Sequence, residues 1–381
     1  MHVFFLDLKI SIDMFAPIIF SLINNGQKVI LINLNLVQNL NEKNDKILAF
    51  LSNNTNCLLI NNNQIKNFNF TFFKLVFSLL KYTNKKKYFS KYRFWKFLWN
   101  ENFYLSSRFI KKISNTNRVK TFTILEDLPP KKKIFIKNIS KELNIPIIMM
   151  HGGINTIPST ANFSEIIPDY YLAANNLGKE NINKLKLFKH LGSPRYTMEW
   201  ISNLEKIYEI EPRKNKNFSI GVFINQSSKL KEGMYELINE LKSKGYNVLI
   251  NSKPREIMPL ELTYQVNEIS SSELIFNSDI IISYPSSILL EAVQRDKPIL
   301  FPKFLNRFDE LNKGNVFENN EMFYFSLSMK NLINIIEDLK SKKIRHKYDL
   351  ENKKKFLRLM IEGNDNESVN KNYLNFYNSF K

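Results

Sequence analysis

The chain has 381 residues, enough for two domains, and its 44% hydrophobic content lets each bury a core. A formal charge of +19 suits nucleic acid, an anionic membrane surface or an acidic substrate. The single cysteine, Cys57, excludes an internal disulfide framework and a Cys-based zinc cluster, and the four histidines lack metal-ligand spacing.

In chain order, HVFFLDL (2–8) reads as a strand, IDMFAPIIFSLINNG (12–26) as a helix stopped by Gly26, and KVILINLNL (28–36) as a second buried strand. That βαβ opening implies a parallel sheet with a right-handed crossover. Residues 70–113 form a long helical pattern, basic and aromatic in its 81–112 stretch, where Glu101 is the one acid. RVKTFTILED (118–127) is the next strand, KKKIFIKNISKELN (131–144) a helix, and IPIIMMHGG (145–153) another buried strand. PDYYLAAN (168–175) and FKHLGSPR (188–195) repeat the theme of a short strand ending in a polar loop.

The charged stretch EIEPRKNKN (209–217) reads as a linker, after which the alternation restarts. FSIGVFINQ, YNVLINSKP, DIIISYP and KPILFP are strands; LKEGMYELINELKSKG, SSELIFNS and SSILLEAVQRD are the helices between them. From about 331 the tail is helical and highly charged. The chain starts without the basic region, apolar core and small-residue cleavage site of a signal peptide, and no apolar run reaches the ~18 residues that span a bilayer. The expectation is a cytoplasmic protein, peripheral at most.

Ligands of open parallel sheets bind outside the carboxyl ends of the strands, and the polar motifs of this chain sit there. Ser286-Ser287, after DIIISYP, are expected at a helix N-terminus, where free N–H groups and hydroxyls receive a phosphate. Glu291, one turn on, can accept from ribose hydroxyls; the plainer account makes Ser286 an N-cap. Glu126-Asp127 closes a strand as an acid pair able to supply a nucleophile or an acid/base, or else Asp127 only opens the turn before Pro129-Pro130. His151 with Gly152-Gly153 can serve a leaving phosphate or an acceptor hydroxyl. Gly192-Ser193-Pro194-Arg195-Tyr196 offers Arg195 as an anion clamp or as packing at the domain junction. Asn225 follows the first strand of the second half, and Lys253 and Arg255 form a basic turn after its second strand.

The pattern of strand, S-x-P-S-S, helix with glutamate, Lys297-Pro298 and strand resembles the donor half of GT-B glycosyltransferases. It is most similar to enzymes that use CMP-activated acidic sugars, including the retaining β-Kdo transferases of surface-polysaccharide assembly (Kdo is 3-deoxy-D-manno-oct-2-ulosonic acid). Two departures stand out: Lys253 occupies the usual histidine position of a His-Pro turn, and Leu128 follows the acid pair where glycine is usual. GSPRY-x-x-EW (192–200) looks like the same group.

The resemblance implies an α/β, GT-B fold. An acceptor domain would span 1–208 and a nucleotide-sugar domain 217–345, with a tail over 346–381 packing back. Asp127 would be the nucleophile, Glu126 its tuning partner and His151 the proton-transfer group. Ser286 and Ser287 would hold the CMP phosphate, and Lys253, Arg255 and Arg195 would offset negative charge.

The donor would be CMP-Kdo without metal, and the acceptor a surface or lipid-linked glycan. The basic, aromatic 81–112 stretch would touch an anionic membrane or be a helix with a buried aromatic stripe, with nucleic acid the weakest account. Neither a D-x-D pair, a phosphate-binding G-x-x-x-x-G-K-[ST] loop nor G-x-G-x-x-G occurs. UDP-sugar or CDP-polyol transfer, and a non-catalytic carbohydrate- or membrane-binding role, stay open.

Overall fold

The computed structural model describes residues 1–7, 9–34, 45–60, 107–151, 167–175, 188–213, 217–224, 228–251, 269–305, 316–317, 320–344, 346, 348–363 and 368–380. Two wholly parallel sheets organise them. The first contains β1 (His2–Leu6), β2 (Val29–Asn33), β3 (Cys57–Ile60), β4 (Thr121–Leu125), β5 (Ile147–Met150), β6 (Tyr170–Ala173) and β7 (Phe188–His190), ordered β3-β2-β1-β4-β5-β6-β7. The second contains β8 (Ser219–Phe223), β9 (Asn247–Asn251), β10 (Ile280–Ser283), β11 (Ile299–Pro302) and β12 (Tyr324–Ser326), ordered β12-β11-β10-β8-β9. Their strands read as continuous apolar runs because helices cover both faces.

Each sheet reverses its winding once, between β1 and β4 in the first and between β8 and β10 in the second. The crevice at such a reversal is where doubly wound sheets take ligands.

Alternation along the strands divides the first half into two cores. Phe4, Leu6, Leu31, Leu125, Ile148 and Leu172 face α1 (Lys9–Asn24), α2 (Lys46–Ser52) and α4 (Met198–Tyr208). Val3, Phe5, Phe122, Ile124, Ile147, Met149 and Tyr171 face the other way, toward α3 (Pro130–Leu143) and a helical stretch over 107–117. The second half builds a single large cluster around β8, β10 and β11. Its helices are α5 (Ser228–Ser243), α6 (Ser271–Asn277), α7 (Leu289–Gln294), α8 (Met329–Lys340) and α9 (Leu350–Met360).

The last helix, α10 (Val369–Asn378), lies on the first half. Tyr377 packs on Phe4 and His2, and its hydroxyl bonds Thr123 at 2.9 Å. The crossing that brings it there is tight. Gly192 has φ +91° and bridges Glu362, and a Cβ on Gly192 would stand 2.4 Å from the Ile361 carbonyl oxygen. A Cβ on Gly363 would stand 2.8 Å from the Leu191 carbonyl carbon. Two glycines therefore let two backbones touch, and the Tyr373 hydroxyl donates to the Gly192 carbonyl at 3.0 Å.

The helix expected over 286–296 begins later than the sequence suggests. α7 starts at Leu289 behind Ile288, and Ser286 and Ser287 precede it in a tight turn. Their carbonyls accept from Leu289 N–H and Leu290 N–H at 3.1 Å, three residues on rather than four. Ser286 is therefore not an N-cap. The α2 helix and the short strands β3 and β12 have no counterpart in the sequence reading.

Candidate functional site

The carboxyl ends of β4, β5 and β6 bring three polar groups together. Alternation puts Phe122, Ile124 and Glu126 on one face, Ile147, Met149 and His151 on the same face, and Tyr171 beside them. His151 Nδ1 lies 2.6 Å from Glu126 Oε2 and 3.1 Å from the Tyr171 hydroxyl, which donates to Glu126 Oε2 at 2.7 Å. His151 is 7% exposed, and its backbone is fixed by an N–H bond to the Leu172 carbonyl at 3.0 Å.

Burial alone would push the Glu126 carboxyl up. The His151 and Tyr171 hydrogen bonds, with the charges of His151 and Lys133, outweigh that and hold it below the usual carboxylate range. Tyr171 is held neutral, by burial first and then by the Glu126 charge beside it. Donation from Nδ1 to Glu126 fixes the ring's orientation and turns Nε2 the other way, so the trio holds the imidazole in one pose.

Asp127, next in sequence, is exposed in the turn that follows β4, and its charge is felt at Tyr171. The two acids thus differ in kind: Glu126 is engaged and half-buried, Asp127 exposed.

Sequence reasoning selected Glu126 and His151 separately and missed Tyr171. It also missed the buried pair at the end of β1, where Asp7 meets the Lys132 ammonium from the first turn of α3. Strand alternation would have found Tyr171, since it shares a face with Ile124 and Met149.

In the second half, Tyr284 to Ser287 follow β10 at the sheet reversal, and Ser286 and Ser287 are half-buried there. Glu291, expected to meet ribose, is 2% exposed; it accepts from Ser272 Oγ at 2.9 Å and from Arg295 Nε at 3.2 Å. Burial raises its carboxyl against the pull of Arg295 and Ser272. Lys297 stands at the amino end of β11, away from the ligand edge. Its ammonium donates to the Phe276 and Ser278 carbonyls at 3.0 and 2.6 Å, closing the end of α6.

Arg195 pairs with Asp13 of α1 at 3.5 Å and stacks over Tyr196, 5.3 Å from its ring centre, at the junction of the halves. Asn225, Lys253, Arg255, Gly152-Gly153 and most of the basic 81–112 stretch lie outside the described residues.

A cavity of about 520 Å³ opens at the opposite edge of the first sheet, lined by Lys28, Arg118 and Lys120 among others. Its cations neighbour the carboxyl ends of α1 and of the 107–117 helical stretch, whose negative dipole ends they complement. Among the described residues no three His, Cys, Asp or Glu converge to hold a metal, and no helix is long and apolar enough to cross a membrane.

No protein-family description matches the sequence, and neither does any curated protein. Solved structures do match in fold. One is a glycotransferase of kitacinnamycin, at 10% identity, covering 100% of this chain and 99% of that one with a TM-score of 0.55. Another is the UDP-GlcNAc 2-epimerase of Methanocaldococcus jannaschii in complex with UDP-GlcNAc and UDP, at 13%, 99%, 98% and 0.53. A third is the wall teichoic acid polymerase TagF with CDPG, at 12%, 100%, 87% and 0.53. The chain has the α/β architecture of these GT-B-type proteins, with two parallel sheets.

Proposed function

We propose that this chain is a glycosyltransferase that moves an acidic sugar, with Kdo favoured, from a CMP-activated donor to a surface glycan at the cytoplasmic side of a membrane. The observation that carries the reading is the Glu126–His151–Tyr171 trio at the carboxyl ends of β4 to β6, with exposed Asp127 beside it.

In this reading Asp127 attacks the anomeric carbon. The bond to the phosphate oxygen breaks, and CMP leaves with the electron pair. The acceptor hydroxyl then displaces Asp127 while His151 takes its proton, giving net retention through two displacements. Glu126 cannot share the nucleophile's task, because its carboxylate is held by two protein donors; it orients His151 instead. Ser286 and Ser287 receive the phosphate with their hydroxyls, since the six-residue helix behind them adds little dipole. Lys253, Arg255 and Arg195 offset the charge of phosphate and sugar carboxylate, and Asn225 meets the donor.

CMP, CDP, UDP and GDP are compared for thermal stabilisation of the protein at matched concentration without metal. CMP should stabilise selectively, and Asp127→Asn should keep that stabilisation while losing transfer from CMP-Kdo. Preference for UDP or CDP redirects the reading to UDP-sugar or CDP-polyol transfer. Normal turnover by Asp127→Asn removes that residue from the chemistry.

A further inference from the structure

The turn that follows β7 crosses the molecule. Its backbone is pinned to the tail at Gly192, yet the Tyr196 side chain, 2% exposed, is built into the core of the second half. The carbonyl of Tyr196 accepts from Gln294 Nε2 at 3.1 Å, at the end of α7. One residue on, Arg295 Nη1 bonds Glu205 Oε1 of α4 at 2.5 Å while its Nε holds Glu291. The helix behind Ser286-Ser287 is therefore clamped from the first half at its far end.

At its near end stands the Tyr196 hydroxyl. It is buried and makes no well-formed hydrogen bond, and Ser287 is among the side chains acting on it. A buried hydroxyl left in this state is costly and calls for an explanation. Ser287 lies in the turn that receives the donor phosphate in the reading above. Once an anion takes the Ser287 proton as a hydrogen bond, the Ser287 oxygen becomes a better acceptor for the tyrosine O–H. The two bonds would then form together.

We propose that Tyr196 is a positioning residue of the donor site, whose hydroxyl reaches across from the first half of the chain to orient the Ser287 hydroxyl toward the donor phosphate. The proposal rests on the assignment of Ser286-Ser287 to that phosphate. It makes donor binding depend on the junction between the halves.

Calorimetry with CMP, CDP and UDP on the intact protein identifies the nucleotide bound, and its phosphate-free nucleoside is the control. Tyr196→Phe should weaken the nucleotide about 5- to 10-fold, the worth of one hydrogen bond, and leave the nucleoside within twofold. In a Ser287→Ala background the same change should cost less than twofold. A merely structural role for Tyr196 would weaken nucleotide and nucleoside alike and persist without Ser287, which overturns the proposal. Unchanged nucleotide affinity in Tyr196→Phe overturns it too while sparing the donor reading. A wild-type protein that binds none of the three overturns both.

Discussion

His2 offers a quantitative check on the first half of the fold. It is 1% exposed, with Nδ1 2.9 Å from Thr121 Oγ1, Nε2 2.8 Å from Gln27 Oε1, and Tyr377 edge-on at 5.0 Å. Gln27 offers an acceptor, so Nε2 carries the proton and Nδ1 accepts from threonine: the ring is neutral and fully used. Burial first, and then the neighbouring terminal ammonium, push its pKa from 6.5 down to about 4, against the Gln27 bond that raises it. A lowered folded pKa means that the unfolded chain binds a proton the native protein refuses. Stability is therefore intact above pH 6.5 and falls as pH drops toward 4. Over the whole interval the loss is about 3 kcal/mol, and by pH 4.5 about 2.5 kcal/mol of it is already felt.

The assay is urea unfolding of the wild type and His2→Gln at several pH values from 7.5 to 4.5. The variant should be weaker at pH 7 by about 1–2 kcal/mol of lost bonding. That gap should close, and then reverse, as the wild type meets its proton penalty. Stability curves that stay parallel across the range would refute the argument.

Other expectations can be checked with the same protein. Glu126→Gln removes the charge behind His151, so kcat for transfer should fall about 10- to 100-fold, with donor KM within about threefold. An unchanged kcat would separate the trio from the chemistry. Gly192→Ala combines φ +91° with a Cβ 2.4 Å from a carbonyl oxygen, and should cost about 3 kcal/mol or more. Limited proteolysis of the variant should release α10 first, and a wild-type digestion pattern with unchanged stability would show that the crossing tolerates a methyl group.

Much of the fold was legible because parallel strands covered on both sides must be apolar throughout. Phe122 to Leu125, Ile147 to Met150 and Ile280 to Ser283 declare themselves as runs between polar loops. Tyr324–Ser326 hid because three residues are too short for a pattern, and Cys57–Ile60 because its four residues lie inside asparagine-rich sequence that reads as loop. The turn at Ser286 was misread because a serine after proline and before an apolar run has the signature of an N-cap. Only the three-residue spacing of the backbone bonds reveals otherwise. Lys297 reads as part of a ligand motif on proximity in sequence, yet it falls at the amino end of its strand, where it closes the end of α6.

Residue type alone does not separate the two acids at the end of β4; their partners do. An acid that ends a strand in register with a histidine on the next strand is drawn into the layer beneath the helices, as Glu126 is. The residue after it cannot point the same way, and the turn carries Asp127 into the open. Alternation thus ties one carboxylate to His151 and Tyr171 and leaves its neighbour exposed. Inserting one residue between Leu125 and Glu126 would carry Glu126 into the exposed position that Asp127 now holds and separate His151 from its acid, even though all three residues would still be present. The chemistry proposed for this edge therefore depends on strand register as much as on which residues occupy it.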